Sequence, residues 1–365
     1  MVMKNLFENI YEGKRVLVTG HTGFKGSWLS LWFRELGASV TGISLSPVTT
    51  PNHWDLLGLD IEDHRFDIRD QERLTKAVIA CQPEIVFHLA AQPLVRKSYQ
   101  DPLGTWSTNV MGTANLLEAC RQCEDIKAIV VVTTDKCYEN KEWLWGYREN
   151  DRLGGHDPYS ASKAAAELVA ASFRQSFFNQ TGGPLLATAR AGNVIGGGDW
   201  SVDRLIPDVA RSVQNGEPLI IRAPKSTRPW QHVLESISGY LLLGQNLLSS
   251  GKLYADAWNF GPGSEGNQTV EQVLSLMESS WPELRWDITN EPQAHEAVLL
   301  QLDSTKSLQK LQWKPVWLFS KCILETATWY KNYIESGNVI SLAQIHQYVN
   351  DAKKLNRIWT TNENN

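Results

Sequence analysis

Lys14-Arg15-Val16-Leu17-Val18-Thr19-Gly20-His21-Thr22-Gly23-Phe24-Lys25-Gly26-Ser27-Trp28-Leu29-Ser30-Leu31-Trp32-Phe33 is the stretch whose reading decides the fold. Residues 14–19 form a short run, apolar at its centre and rich in β-branched side chains, as a strand buried on both faces of a parallel sheet requires. Trp28 to Phe33 is an apolar helix, and the glycines lie between the two. In that context each glycine has a task. Gly20 permits a tight turn, Gly23 lets a diphosphate approach the backbone, and Gly26 lets helix and strand pack closely, with the helix N-terminus turned toward the anion. The spacing is G-x-x-G-x-x-G, so the reading rests on the strand and helix flanks more than on the glycines.

Outward from this unit, strand and helix patterns alternate. Ser39-Val40-Thr41-Gly42-Ile43-Ser44 reads as the second strand, and it ends in serine where a dinucleotide site usually places an acidic residue for the adenosine ribose. No Arg or Lys follows before Pro51 to hold a 2'-phosphate, which favours NAD over NADP. Asp67-Ile68 reads as the close of the next short strand, within reach of the adenine. Pro83-Glu84-Ile85-Val86-Phe87-His88-Leu89-Ala90-Ala91 reads as a fourth strand opening onto small residues. Ala128-Ile129-Val130-Val131-Val132 and Pro184-Leu185-Leu186-Ala187-Thr188-Ala189-Arg190 read as further buried strands. The expected class is α/β: a Rossmann-type doubly wound parallel sheet formed by residues 1–190, with a smaller, interleaved C-terminal substrate region, residues 191–365. Gly196-Gly197-Gly198-Asp199 and Ala223-Pro224-Lys225 mark loops around a second site, and Tyr240-Leu241-Leu242-Leu243 returns to helical packing.

A net charge of −5 without any Lys/Arg run argues against a nucleic-acid partner. Residues 1–13 lack the apolar core of a signal peptide, and no apolar stretch is long enough to span a membrane, so the expectation is a cytoplasmic protein. Five cysteines, an odd number, fit reduced thiols. Cys120 and Cys123 form a C-x-x-C pair inside a helical pattern with no second pair, which points to packing. The eight histidines have no metal-ligand spacing, so no metal is expected. Fifteen tryptophans exceed what one ligand site needs, which divides them between packing and a sugar-stacking surface.

The chemistry resides in two places. Tyr159 and Lys163 are four apart, hence on one face of a helix. A phenol titrates near pH 10, so serving as base near neutrality means lowering its pKa by roughly three units, help that a neighbouring cation supplies. The strand 128–132 delivers Thr133-Thr134-Asp135-Lys136 to the carboxyl edge of the sheet, where open α/β folds bind ligands. A hydroxyl from Thr133 or Thr134 orients a carbinol. Asp135 and Lys136 add an acid and a base, which simple dehydrogenation does not need and loss of water does: once C4 is a ketone, one group takes the C5 proton and another protonates the departing C6 oxygen.

These stretches, with Asp157-Pro158-Tyr159-Ser160-Ala161-Ser162-Lys163, Arg190-Ala191-Gly192-Asn193-Val194-Ile195-Gly196-Gly197-Gly198-Asp199-Trp200 and Arg228-Pro229-Trp230-Gln231-His232-Val233, resemble the extended short-chain dehydrogenase/reductases of the sugar-nucleotide dehydratase and epimerase type. The resemblance runs to about Pro315. Thymidine-type dehydratases carry Thr-Asp-Glu where this chain has Thr134-Asp135-Lys136, and the lysine resembles the branch acting on CDP-glucose. The resemblance implies an NAD-dependent hydro-lyase of deoxysugar biosynthesis, of the kind that feeds lipopolysaccharide O-antigen, giving CDP-4-dehydro-6-deoxyglucose with no net redox change. It implies Thr134, Asp135, Lys136, Tyr159 and Lys163 as catalytic residues, with Lys136 either C5 base or electrostatic stabiliser. Gly20, Thr22, Gly23, Phe24, Lys25, Gly26, Ser44, Asp67, Ile68, Leu89, Ala90, Ala91, Thr108, Tyr159 and Lys163 would hold the cofactor. Gln92, Asn193, Arg204, Leu205, Arg228, His232 and His295 would meet the substrate, the arginines clamping phosphates. It also implies a homodimer paired through helices around residues 103–118 and 158–178. A C4 epimerase, a non-catalytic dinucleotide sensor and an NADPH-consuming redox enzyme remain as alternatives.

Overall fold

The computed structural model describes residues 3–178, 182–221, 223–289 and 299–361. His295 therefore lies outside the described residues. Seven parallel strands form the central sheet: β1 (Arg15–Thr19), β2 (Ser39–Ser44), β3 (Glu62–Arg65), β4 (Ile85–His88), β5 (Ala128–Val132), β6 (Leu185–Ala191) and β7 (Ala257–Phe260). Their order is β7-β6-β5-β4-β1-β2-β3. β1 pairs with β2 on one side and β4 on the other, so the winding reverses there and opens the crevice above the carboxyl ends of β1 and β4. β7, from well past residue 190, adds directly to β6.

The period of two along each strand divides the core. Val16, Val18, Ile85, Phe87, Val130 and Val132 face one apolar layer, covered by the helices Phe24–Glu35 and Val233–Ser249. Leu17, Val86, Ile129 and Val131 face the other, where Leu74, Val78, Leu116 and Leu117 come from the helices Gln71–Cys81 and Gly112–Arg121. Both faces are covered, which is why these strands read as continuous apolar runs rather than alternating ones. Each such side chain contributes about 1.5–3 kcal/mol by leaving water. Trp28, Trp32, Trp258, Trp281, Trp313, Trp329 and Trp359 are fully buried, so packing claims these indoles rather than a sugar-stacking surface.

Two expectations shift in detail, at Asp67-Ile68 and along residues 102–121, while the packing expected for Cys120 and Cys123 is met. β3 ends at Arg65, so Asp67 and Ile68 lie on the turn beyond it. Cys120 and Cys123 are both buried at the end of Gly112–Arg121, and burial pushes the Cys120 thiol upward, opposite to a reactive thiolate. The run 102–121 is a succession of Pro102–Trp106, a π-helical turn Ser107–Met111 and Gly112–Arg121. No cluster of His, Cys, Asp and Glu able to hold a metal occurs among the described residues, and no described helix is long and apolar enough to cross a membrane.

Candidate active site

The turn after β1 is set by backbone sterics. Gly20 has φ +77°, and a Cβ there would lie 2.6 Å from the Ala90 nitrogen; one on Gly26 would collide with the Gly20 carbonyl oxygen. Leu89 N–H donates to the Thr19 carbonyl, so the small-residue loop Leu89-Ala90-Ala91 lies directly on the glycine turn. Gly23 caps the helix Phe24–Glu35 without any side-chain acceptor, leaving the first-turn N–H donors for an anion. Thr22 Oγ1 and Ser44 Oγ pair at 2.8 Å, and Thr22 also donates to the Leu45 carbonyl. Phe24 opens that helix beside Gly196, joining the nucleotide turn to the sugar-side loop. Arg65, which the sequence reading passed over, reaches the Leu45 carbonyl at the ribose end, but Asp63 engages it at 2.7 Å.

The opposite wall begins with the helix Pro158–Phe173. Asp157 caps it by accepting from Ser160 N–H at 3.0 Å and Pro158 takes the first helical position, so Tyr159 falls in the first turn facing the end of β5. Thr134 lies beside Tyr159, and its hydroxyl donates to Asp135 Oδ1 at 2.9 Å. Thr133 points inward and donates to Glu167 Oε1 at 2.5 Å. Of the two threonines, Thr134 is the one offered to a ligand. Lys163 Nζ makes a 3.3 Å bond to the Val132 carbonyl, which leaves ammonium donors for hydroxyl groups.

The electrostatics correct one expectation. Burial pushes the Tyr159 phenol up to about 12; Thr134 and Arg204 pull it down by less, while Asp135 and Asp157 raise it. Lys163 is not among the groups that shift Tyr159; burial brings it down to about 8, against the pull of Glu167. Burial likewise brings Lys25 down to about 7, helped by the charges of Arg204 and Lys163 and opposed by Asp135. Asp135 is buried and its carboxyl is raised by that burial, with Lys136 and Thr134 opposing. A Cβ on Gly192 would sit 2.9 Å from Asp135 Oδ2, so glycine there keeps that oxygen uncovered. Lys136 is half-buried, and its ammonium makes no hydrogen bond or ion pair among the described residues.

Tyr159, Lys163, Thr134, Asp135, Lys25 and Arg204 thus share one cleft. Arg204 caps the helix Leu205–Asn215, and its guanidinium pairs with Asp199 at 2.9 Å. Asn193 and Thr108 are half-buried, with no side-chain hydrogen bond among the described residues. Leu205 lies next to Arg204, and Arg228 donates to the Thr227 carbonyl.

Four expected ligand residues are occupied elsewhere. Arg69 grips both Asp67 oxygens at 3.0 Å or less, so that carboxylate is already paired. Ile68 packs its side chain against Gly112. Gln92 spends its amide on Leu94 and Thr105. His232 is fully buried between Trp28 and Trp317, where burial brings it down to about 3 and its Nδ1 accepts from Leu234 N–H, so it is a neutral helix cap.

Sequence reasoning missed Glu167, one more step of four beyond Lys163 on the same helix face. It accepts from Thr133, from Thr188 at 2.8 Å and from Arg190 at 2.7 Å, all buried. Asn109 was also missed: buried in the π-helical turn, it ties Gln92 to Ser162. The spacing Tyr159-x-x-x-Lys163-x-x-x-Glu167 was a signal for the first. None marked the second.

Residues 17–326 match the family model described as GDP-mannose 4,6 dehydratase. The chain belongs to this family. It is 50% identical over 351 residues, 94% of this chain and 98% of that protein, to CDP-glucose 4,6-dehydratase of Salmonella typhimurium. It is 28% identical to dTDP-glucose 4,6-dehydratase of Xanthomonas campestris pv. campestris, covering 86% of this chain and 92% of that one. Among solved structures it is similar to UDP-glucose 4-epimerase of Thermus thermophilus in complex with NAD, with a TM-score of 0.74 and 26% identity over 87% of this chain and 99% of that one. Dehydratases and an epimerase are thus both among the proteins to which this chain is similar.

Proposed function

We infer that this chain is an NAD-dependent CDP-glucose 4,6-dehydratase, a hydro-lyase that converts CDP-glucose to CDP-4-dehydro-6-deoxyglucose. One observation carries the reaction type: a buried carboxyl held toward its protonated form, Asp135, with Lys136 next to it and Thr134 and Tyr159 beside it. A C4 epimerase needs the tyrosine and threonine but not the acid and base pair.

The cleft fits NAD. The uncapped helix start after Gly23 suits the diphosphate, the Gly20 turn on Ala90 leaves room for backbone approach, and the Thr22–Ser44 pair suits a ribose without a 2'-phosphate. When bound, NAD supplies a reversible hydride store and a positive ring that favours phenolate. Tyr159 accepts the C4 hydroxyl proton, with Thr134 fixing the oxygen and Lys163 holding a ribose hydroxyl. Lys136 takes the C5 proton and Asp135 delivers a proton to the departing C6 oxygen, so water leaves and the charges balance. Arg204, Arg228 and Asn193 hold the sugar diphosphate, and base recognition follows the similarity to the CDP-glucose enzyme. Residues 1–190 serve the cofactor and residues 191–365 the sugar nucleotide.

The protein is a cytoplasmic homodimer in this reading, paired through the faces bearing exposed Leu103, Trp106, Met111 and Leu168. The deciding experiment incubates purified protein with CDP-, dTDP- and GDP-hexoses and measures the alkali-induced chromophore of the 4-keto sugar. Chromophore from CDP-glucose is expected. An intact hexose inverted at C4, or stoichiometric change in cofactor absorbance, would replace the dehydratase by an epimerase or by a redox enzyme.

A further inference from the structure

The turn Gly196-Gly197-Gly198-Asp199 is pressed from behind by the helix Phe319–Ser336. A Cβ on Gly197 would overlap the Trp329 ring, and one on Gly198 would overlap the His53 ring. Trp28 Nε1 donates to the Gly197 carbonyl at 2.9 Å. Trp329 Nε1 and His53 Nε2 meet at Ser341 Oγ, at 2.8 and 2.7 Å. Tyr330, fully buried, donates its hydroxyl to the Asp199 carbonyl at 2.5 Å and meets Trp200 edge to face at 5.4 Å. Trp329 and Tyr330 belong to the helix Phe319–Ser336 and fall just past the stretch 17–326 that the family model matches.

On its other side the same turn faces the cleft. Asp199 Oδ1 accepts from Ser201 N–H at 3.0 Å, and Oδ2 holds the Arg204 guanidinium at 2.9 Å. Arg211 bonds the Trp200 and Ser201 carbonyls, both at 3.1 Å, which leaves the loop little room to turn. The contacts run in sequence from Tyr330 to the Asp199 backbone, from the Asp199 carboxylate to Arg204, and from Arg204 to the cleft where its charge reaches Tyr159.

We propose that Tyr330 is a positioning residue for substrate binding: its bond to the Asp199 carbonyl, with Trp329 against Gly197, fixes the Asp199 carboxylate that aims Arg204 at the anionic part of the sugar nucleotide. This rests on the reading of Arg204 as a substrate contact. The front of the turn carries the Asp199–Arg204 pair, and the buried phenol behind it bonds the backbone that bears them. A carbonyl that accepts one buried hydrogen bond turns little; without it, the peptide and its carboxylate rotate together.

The test measures kcat, the KM for CDP-glucose and the Kd for NAD in Tyr330→Phe, Arg204→Ala and the double variant. Tyr330→Phe is expected to raise KM about fivefold, in line with one buried hydrogen bond, with kcat and the NAD Kd within about twofold. In the Arg204→Ala background the same substitution is expected to add nothing to KM, because the aimed group is gone. An unchanged KM in Tyr330→Phe, or a full additive effect in the double variant, overturns the proposal while leaving Arg204 as a ligand. An unchanged KM in Arg204→Ala overturns the reading beneath it as well. Should Tyr330→Phe not fold, Trp329→Phe, which thins the support behind Gly197 and keeps the Asp199 bond, is expected to raise KM by less than about fivefold and to add nothing in the Arg204→Ala background, and an unchanged KM overturns the proposal.

Discussion

Behind Tyr159 and Lys163 stands a buried ionic cluster, whereas behind Arg204 stands a run of three glycines. On the first wall, Glu167 accepts three hydrogen bonds and pairs with Arg190 where both side chains are nearly inaccessible. That wall belongs to strands and a capped helix, and its reactive groups stay in place without a ligand. On the second wall Asp199 and Arg204 sit between the glycine turn and the start of a helix, and what backs that turn comes from a distant helix. The contrast matches the division of labour. Proton transfer depends steeply on geometry, and a group 1 Å out of place costs about 100-fold. Holding a diphosphate tolerates adjustment, so loops suffice.

The largest effect that would break this contrast is on the first wall. Tyr159→Phe removes the phenol and is expected to reduce kcat by about 10³-fold or more, the upper part of what a positioned acid or base contributes. Binding of CDP-glucose measured by calorimetry should persist, since that rests on the second wall. Retained turnover would remove Tyr159 from proton transfer.

Next comes the cluster itself. Arg190→Leu leaves Glu167 buried without its cation, and unfolding in denaturant should show a loss of about 3–5 kcal/mol. Burial alone would push Glu167 up, but Arg190, Thr133 and Thr188 outweigh it and hold the carboxyl below its ordinary value. A lowered carboxyl stabilises the fold above the ordinary carboxylate pKa, and that contribution is lost as pH falls through the lower folded value. Glu167→Gln should therefore be less stable than the native chain at pH 7, with the gap shrinking toward pH 3. A gap that stays constant over this range would separate the cluster from the acid stability of the protein.

A third prediction divides the catalytic residues. Lys136→Ala should let the C4 oxidation proceed, seen as reduced-cofactor absorbance in a single turnover, and slow release of the 4-keto product by about 100-fold. Normal product formation would leave Lys136 without a role in loss of water.

How much of this the sequence disclosed depends on how local each requirement is. The turn after β1 was legible because Gly20 and Gly26 answer to backbone atoms a few residues away or on the neighbouring strand, and the flanking pattern names both. Tyr159 and Lys163 were legible because helix periodicity alone puts them on one face. The pairing of Asp67 was not legible, because Arg69 sits two residues on, a local contact that a strand reading hides. The burial of His232 was not legible because what buries it, Trp28 and Trp317, arrives from opposite ends of the chain. The upward push on the Tyr159 phenol was not legible for the same reason: spacing gives proximity, but burial, which pushes both groups toward their neutral forms, is a property of the whole fold.

The finest test compares neighbours. Thr133 and Thr134 are adjacent and chemically identical, yet one faces each side of the boundary between structure and chemistry. Thr133 donates to Glu167, so Thr133→Val is expected to cost about 1 kcal/mol of stability, the worth of one buried hydrogen bond, and to leave kcat within about twofold. Thr134 bonds Asp135 and lies beside Tyr159, so Thr134→Val should reduce kcat about tenfold with little change in unfolding midpoint. Paired denaturant curves and initial rates on the two variants read both quantities. If the two substitutions exchanged their effects, or shared them, the strand end would not be the edge at which packing stops and catalysis begins, and the rigid wall would extend into the cleft rather than stand behind it.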